Sequence, residues 1–456
     1  MYTLLLIIFF LCFTFITIVN LQRGLFFLFL LLPTYLIDIN IGPLPTNMLE
    51  IMLGIIVLVW AFQKRAQLVT RCKQIYSNNF YFIIGAFLFI LAATISIFNG
   101  IDPVEALGEW KSFYIEPIIL TIVLATTLKT KAQLKNILSA ILISGFVTSL
   151  LAIYQHFTGA WVPYSFWENN NAFRVTGWYG FPNAVGHFLA PTVIIGVYLI
   201  YDYFKNSTKG IANKIKEVFL DCIPHLNKES TTFLRLKSKW ITILAILSAP
   251  AALLGIIFAK STGAIVGVVG GLAILILFTK FRWWAIGVGL ACLMIVFYLP
   301  SDSMLKQELL LKNRTGQLRI NMWRQTYNFL SDNPISGAGI SAYKEKIVPY
   351  RKNPNIETFH HPHNLWLTIW VNLGLLGFTA FNWVLIWFYK QSFFETKYNN
   401  IKLNQELALF STSLFTTFLV MGLVDSPYIK NDLALLFWFP IALMLVKNSL
   451  KREKQA

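Results

Sequence analysis

The sequence predicts an all-helical, polytopic membrane protein with about 12–13 transmembrane helices. Three observations carry this expectation. Hydrophobic residues make up 56% of the chain against 13% charged, with a mean hydropathy of +0.60, more apolar surface than one soluble core hides. Apolar runs long enough to cross about 30 Å of hydrocarbon recur along the chain. Lysine and arginine gather in alternate connections between those runs, as the positive-inside rule requires.

The runs fall near 2–19, 24–41, 45–62, 80–98, 115–128, 134–157, 183–204, 241–259, 262–279, 283–299, 365–389, 405–424 and 432–447. Each is expected to be a helix, because lipid offers no partner to a free backbone amide, and a barrel would show alternating segments of about ten residues. No repeat with a period of about 20–50 residues is visible, so residues 1–456 read as a single integral membrane domain. The first run lacks a basic leader and a small-residue cleavage site and reads as a retained span. Cys12 and Cys292 lie in apolar runs and Cys72 and Cys222 in basic connections, which excludes a disulfide framework or a zinc spacing in the outer loops.

The connections define the expected topology. Lys64, Arg65, Arg71 and Lys73 follow the third run, Lys129, Lys131 and Lys135 follow the fifth, and the basic 205–240 segment follows the seventh, so these are placed in the cytoplasm. The 99–116 connection carries Asp102, Glu105, Glu109 and Glu116 against Lys111, and 158–182 is nearly uncharged, so both are placed outside. Lys280 and Arg282 mark the next inner turn, which puts the 300–364 loop outside, and the tail with Lys447, Lys451, Arg452 and Lys454 inside. The net charge of +17 is thereby explained without nucleic acid as a partner.

The 300–364 loop is the exception, being outside and still basic. Long loops translocate regardless of charge, so what needs a reason is the concentration of cations. It is either a solvated surface near anionic headgroups or a site for a polyanion such as a diphosphate, which arginine grips through its planar fork. From about Leu305 to Leu330 the loop reads as one amphipathic helix on the membrane surface, with Arg319, Trp323 and Tyr327 on one face. Asn333-Pro334 ends it and Gly337-Ala338-Gly339 permits a tight turn. His360, His361 and His363 follow, just before the span that opens at Asn364-Leu365. No cysteine stands close by in sequence, and a complete metal site would have to borrow distant ligands. A neutral imidazole at His363 is suited to accept a proton at the membrane boundary, and an interfacial hydrogen-bonded histidine is the plainer reading.

Two further features lie at outer span ends. Arg174, with Gly177, Gly180, Pro182 and Asn183 and leading to His187, reads as either a pocket at a helix start or an ordinary turn. Lys260, before Ser261-Thr262-Gly263, reads as a ligand-binding cation or a snorkelling one. There is no phosphate-binding GxxxxGK[ST] loop, GxSxG elbow, DxD pair or HExxH.

Together these residues resemble the O-antigen ligase and O-antigen polymerase superfamily of bacterial inner-membrane glycosyltransferases. The likeness runs through Arg174-Val175-Thr176-Gly177 with Pro182-Asn183, Ser261-Thr262-Gly263-Ala264, Arg319 with Trp323, Pro334 with Gly337 and Gly339, and His363-Asn364 with Leu367, Gly374 and Gly377. Asp425-Ser426-Pro427 also looks familiar, and the family-like region spans 170–447. The resemblance implies a GT-C-type architecture and a metal-independent, cofactor-free, inverting transfer of glycan from a polyprenyl-diphosphate carrier to an acceptor hydroxyl of a glycan, lipid or protein. It places that reaction at the outer face of the inner membrane. It implies that His363 activates the acceptor and that Arg319, Lys260 and Arg174 bind the diphosphate, with Asn364, Trp323, Asn183 and His361 in support. Many members carry arginine where this chain has Thr262. A polymerase acting on lipid-linked repeat units, a lipid-linked glycan transporter and a non-catalytic envelope partner are the rival expectations.

Overall fold

The structure is a computed structural model that describes residues 2–39, 45–162, 167, 173–205, 230–278, 282–351, 358–399 and 401–446. Most of the expected basic 205–240 segment, Lys280, Lys352, Cys222 and the tail lysines lie outside the described residues. Among the described residues the chain is helical, with one isolated bridge between Asp38 and Asn47 and no strand.

The helices are α1 Tyr2–Val19, α2 Leu21–Leu30, α3 Met48–Asn78, α4 Phe80–Ile97, α5 Pro103–Glu109, α6 Glu116–Thr127, α7 Lys131–Thr158, α8 Pro182–Phe204, α9 Ser230–Phe258, α10 Thr262–Leu277, α11 Arg282–Tyr298, α12 Met304–Leu309, α13 Arg314–Asp332, α14 Tyr343–Lys346, α15 Leu365–Tyr398, α16 Lys402–Gly422 and α17 Asn431–Val446. Every expected apolar run carries a helix. Among the described residues five helices are long and apolar enough to cross a membrane: α4, α7, α8, Lys239–Phe258 within α9, and α15. Thr3–Val19, α2, α10 and α17 are apolar but shorter.

The second run is not one span. α2, capped by the Asn20 side chain, stops at Leu30 and gives way to a 3-10 turn over Leu32–Leu36, because Pro33 lacks an amide and its ring clashes with the preceding turn. Between α5 and α6 the segment Trp110–Ile115 is a π-helix, and the Phe113 carbonyl there accepts the Tyr428 hydroxyl. The expected single helix from Leu305 to Leu330 is also split. Leu311 takes a left-handed conformation (φ 55°), and α13 restarts at an Asn313 cap whose side chain accepts Gly316 N at 2.8 Å.

α8 is the most enclosed span, 83% of its apolar window being buried, with α7, α9, α10 and α16 around it. At one end its Asp202 pairs with Lys131, with Lys135 at 2.9 Å and with Lys205, and Lys205 also meets Glu406 of α16. Two connections that the charge pattern assigns to the same side thus meet. The other end of α8 begins at Pro182-Asn183, and the candidate site residues gather there.

The loop before α15 is folded onto the bundle. Phe329 and Leu330 of α13 join Ala338, Tyr343, Ile347 and Val371 in a small separate core. Val371 O accepts Ala338 N at 2.6 Å and Ile335 O accepts Leu375 N at 3.1 Å. This insertion needs α15 to open, and it does so at Gly374 (φ 65°, ψ −170°). A Cβ on Gly374 would overlap the Ile335 carbonyl. The left-handed backbone alone costs a non-glycine residue about 1–2 kcal/mol, and the overlap adds about 1–3 kcal/mol. Gly374→Ala is therefore expected to lower the unfolding midpoint of the detergent-solubilised protein clearly. Gly54→Ala is the control, since a Cβ there meets nothing within 4 Å, and it should leave the midpoint unchanged or slightly raised.

Candidate functional site

His363 sits two residues before α15, in a left-handed conformation (φ 48°) that a non-glycine residue rarely adopts. Two contacts hold it there. Asn364 is the N-cap of α15, its Oδ1 accepting Leu367 N at 3.0 Å while its Nδ2 donates to Leu423 O at 2.9 Å. Trp323, from α13, donates its indole N–H to Pro362 O at 3.0 Å and His363 O at 3.3 Å. Trp323 and Asn364 thus position the loop that carries the imidazole.

The His363 Nδ1 lies 2.8 Å from Asp425 Oδ1. Asp425 follows α16 and is 4% exposed, a burial that by itself would raise its pKa. The imidazoles of His363 and His187 outweigh that and hold the carboxyl well below the usual range. An ionised carboxylate only accepts, so His363 Nδ1 must donate, which leaves the Nε2 lone pair free to take a proton. The same carboxylate accepts Ser426 N at 2.9 Å and Asn183 Nδ2 at 2.8 Å, and His187 Nε2 lies 3.6 Å away.

Arg174 is committed to the fold on one side. Its Nε donates to Ala259 O at 2.8 Å, and its Nη2 to Lys260 O at 3.0 Å and Asn183 Oδ1 at 2.9 Å. It closes the end of α9, where Ser261 N bonds Ile256 O and Lys260 N bonds Ile257 O. In that cap Lys260 occupies the left-handed position (φ 48°) usually given to glycine. Burial, and next the charge of Arg319, push the Arg174 guanidinium down to about 10, still protonated at neutral pH. Arg319 and Lys260 have no ion pair among the described residues, and Lys260 is exposed. The Thr262 hydroxyl donates to Glu308 of α12.

The structure therefore brings Arg174, Asn183, His363, Asn364, Trp323, Lys260 and Arg319 to one end of the bundle. His361 joins them. Its ring lies 4.6 Å from that of His363, and burial, with His363 beside it, pushes its imidazole down to about 3, so it is neutral above that pH. His361, His363 and Asp425 place ligand atoms within 4.8 Å of one another, a set able to hold a divalent ion.

Two members were not given a role from the sequence. Asp425 stands 62 positions from His363 and 242 from Asn183, and His187 is as remote from it in sequence, so spacing carries no trace of the cluster. The available signal was an acid placed just past an apolar helix, where charge is costly and marks function.

A comparison with curated proteins found no match. Residues 243–382, from α9 through the folded loop and Trp323 to the Gly374 break in α15, match the family model Wzy_C, described as O-antigen ligase, and over that stretch the chain is similar to this family.

Proposed function

We propose that this chain moves a glycan from a polyprenyl-diphosphate carrier to an acceptor hydroxyl, as a ligase acting at the outer face of the bacterial inner membrane. The observation that carries this reading is the His363–Asp425 pair at the same end of the bundle as Arg319, which has no ion pair among the described residues. It supports a base with a free lone pair near a cationic patch. The acceptor O–H gives its proton to His363 Nε2 while the acceptor oxygen bonds the anomeric carbon. The bond from that carbon to the phosphate oxygen breaks, and the diphosphate leaves with the electron pair. Arg319, Lys260 and the two Nη1 protons of Arg174 offset the charge that develops on it. Displacement from the side opposite the leaving group inverts the anomeric centre.

Asp425 fixes the His363 tautomer and stabilises the imidazolium that forms, the work an aspartate does in other His–Asp pairs. Each Asp425 oxygen already accepts protein donors, which supports a site that works without a metal ion.

The test is transfer in proteoliposomes, with a polyprenyl-diphosphate glycan and candidate acceptors. His363→Ala is expected to cut kcat about 10²–10⁴-fold. Arg319→Ala is expected to raise the donor KM about 10–100-fold, the worth of a hydrogen bond to a charged group. EDTA should leave the rate unchanged; a loss restored by one divalent cation would assign His361, His363 and Asp425 to a metal instead. The acceptor that works separates a ligase from a polymerase, and lipid movement without bond formation would overturn both.

Asp425→Asn tests the pair itself. The amide can present its N–H to His363 Nδ1 and so hold the wrong tautomer. A fall in kcat of about 10²–10⁴-fold is the expected outcome, with a lowered unfolding midpoint, because the amide cannot accept from Ser426 N and Asn183 Nδ2 at once; circular dichroism at the assay temperature checks that the variant remains folded there. Full activity in Asp425→Asn would remove the aspartate from the mechanism.

A further inference from the structure

Arg174 and Asp425 have opposite charges and share one neighbour, but they are joined through an amide instead of an ion pair. Asn183 accepts Arg174 Nη2 on Oδ1 at 2.9 Å and donates from Nδ2 to Asp425 Oδ2 at 2.8 Å. The chemistry fixes this orientation, since a guanidinium only donates and an ionised carboxylate only accepts. A direct Arg174–Asp425 pair would neutralise both charges. It would weaken the arginine toward a diphosphate and the carboxylate toward His363. A neutral amide satisfies each partner and leaves each charge available. Pro182 at the first position of α8 pre-sets the helix start, so Asn183 falls in the first turn, beside both the α9 cap and the Asp425 loop.

We infer that Asn183 is a positioning residue that couples occupancy of the diphosphate site to the orientation of the base, through the continuous chain Arg174–Asn183–Asp425–His363. The inference rests on the glycosyl-transfer reading of the site. A diphosphate that draws Arg174 toward it pulls on Oδ1 of Asn183, and the amide passes that displacement to Asp425 and so to the ring of His363. Arg174 is tethered to the Ala259 and Lys260 carbonyls, so its movement is small and its link to Asn183 persists.

Two measurements test this, one of them independent of turnover. In the transfer assay, Asn183→Leu is expected to reduce kcat/KM about 30-fold in wild-type background and less than about 3-fold in an Arg174→Ala background, because the link is then already broken. Full multiplication of the two losses, or an Asn183→Leu protein within about 2-fold of wild type, overturns the proposal. Asn183→Asp should raise the donor KM more than Asn183→Leu does, since its carboxylate pairs with Arg174 and takes up the charge the diphosphate needs. In the second measurement, diethyl pyrocarbonate modification of His363 is followed by tandem mass spectrometry with and without glycan-free undecaprenyl diphosphate. The lipid should change the His363 rate about 3-fold or more in wild type and leave it unchanged in Asn183→Leu. If wild type transfers no glycan but keeps this response, the glycosyl-transfer reading fails while the coupling stands. If the lipid has no effect in wild type, or the same effect in Asn183→Leu, the coupling is wrong.

Discussion

The buried carboxylate of Asp425 is the constraint on which the site depends. An ionised carboxylate taken out of water costs several kcal/mol unless donors replace its hydration. Here they come from separate parts of the chain: the loop before α15 through His363, the start of α8 through Asn183, and its own backbone through Ser426. Removing any one leaves the charge under-satisfied, so the three segments are held at a common point. Thr368 and Ser426 share a further hydrogen bond at 2.7 Å, which ties the first turn of α15 to the same loop. An imidazole on a mobile loop would lose the alignment with Asp425 that these contacts maintain.

The loop that presents His363 is held by backbone geometry as much as by side chains. The break in α15 at Gly374 exposes carbonyl and amide groups that residues 335–338 then satisfy. Ile340 N reaches Ser96 O at the end of α4 in the same stretch. Polar backbone inside a membrane bundle is tolerated only where other protein pairs it, and this insertion is such a case. It brings α13 against α15 and lets Trp323 reach the Pro362 and His363 carbonyls.

The fold class was legible because hydropathy and lysine placement are one-dimensional signals, and each apolar run did become a helix. The breaks were less legible. Pro33 could have marked the end of α2, but Leu311 gave no sign that the helix from 305 would part there, since a left-handed leucine has no signature in composition. At the site, His363, Arg319 and Trp323 were visible because their types and positions at a span boundary already suggest chemistry. The hydrogen bonds of Arg174 were not legible. The sequence pointed to a cation for the donor, whereas three of its five N–H groups hold the end of α9 and Asn183. Asp425 escaped because a carboxylate near a span end is ordinary until three distant segments are seen to converge on it.

The position after Ser261 bears on how the donor's charge is met. Where the family resemblance leads one to expect an arginine, Thr262 gives its hydroxyl to Glu308, so the patch loses one cation and gains a carboxylate. Glu308 is close enough to act on Arg174 electrostatically, as is Arg319. Lys260, in a left-handed conformation that glycine would adopt at less cost, restores one positive charge beside them. Asp425 acts on Arg174 as well, so three cations face two carboxylates, each carboxylate held by donors of its own. The exchange of arginine for threonine, with lysine one residue before the serine, therefore moves the positive charge from the start of α10 to the end of α9.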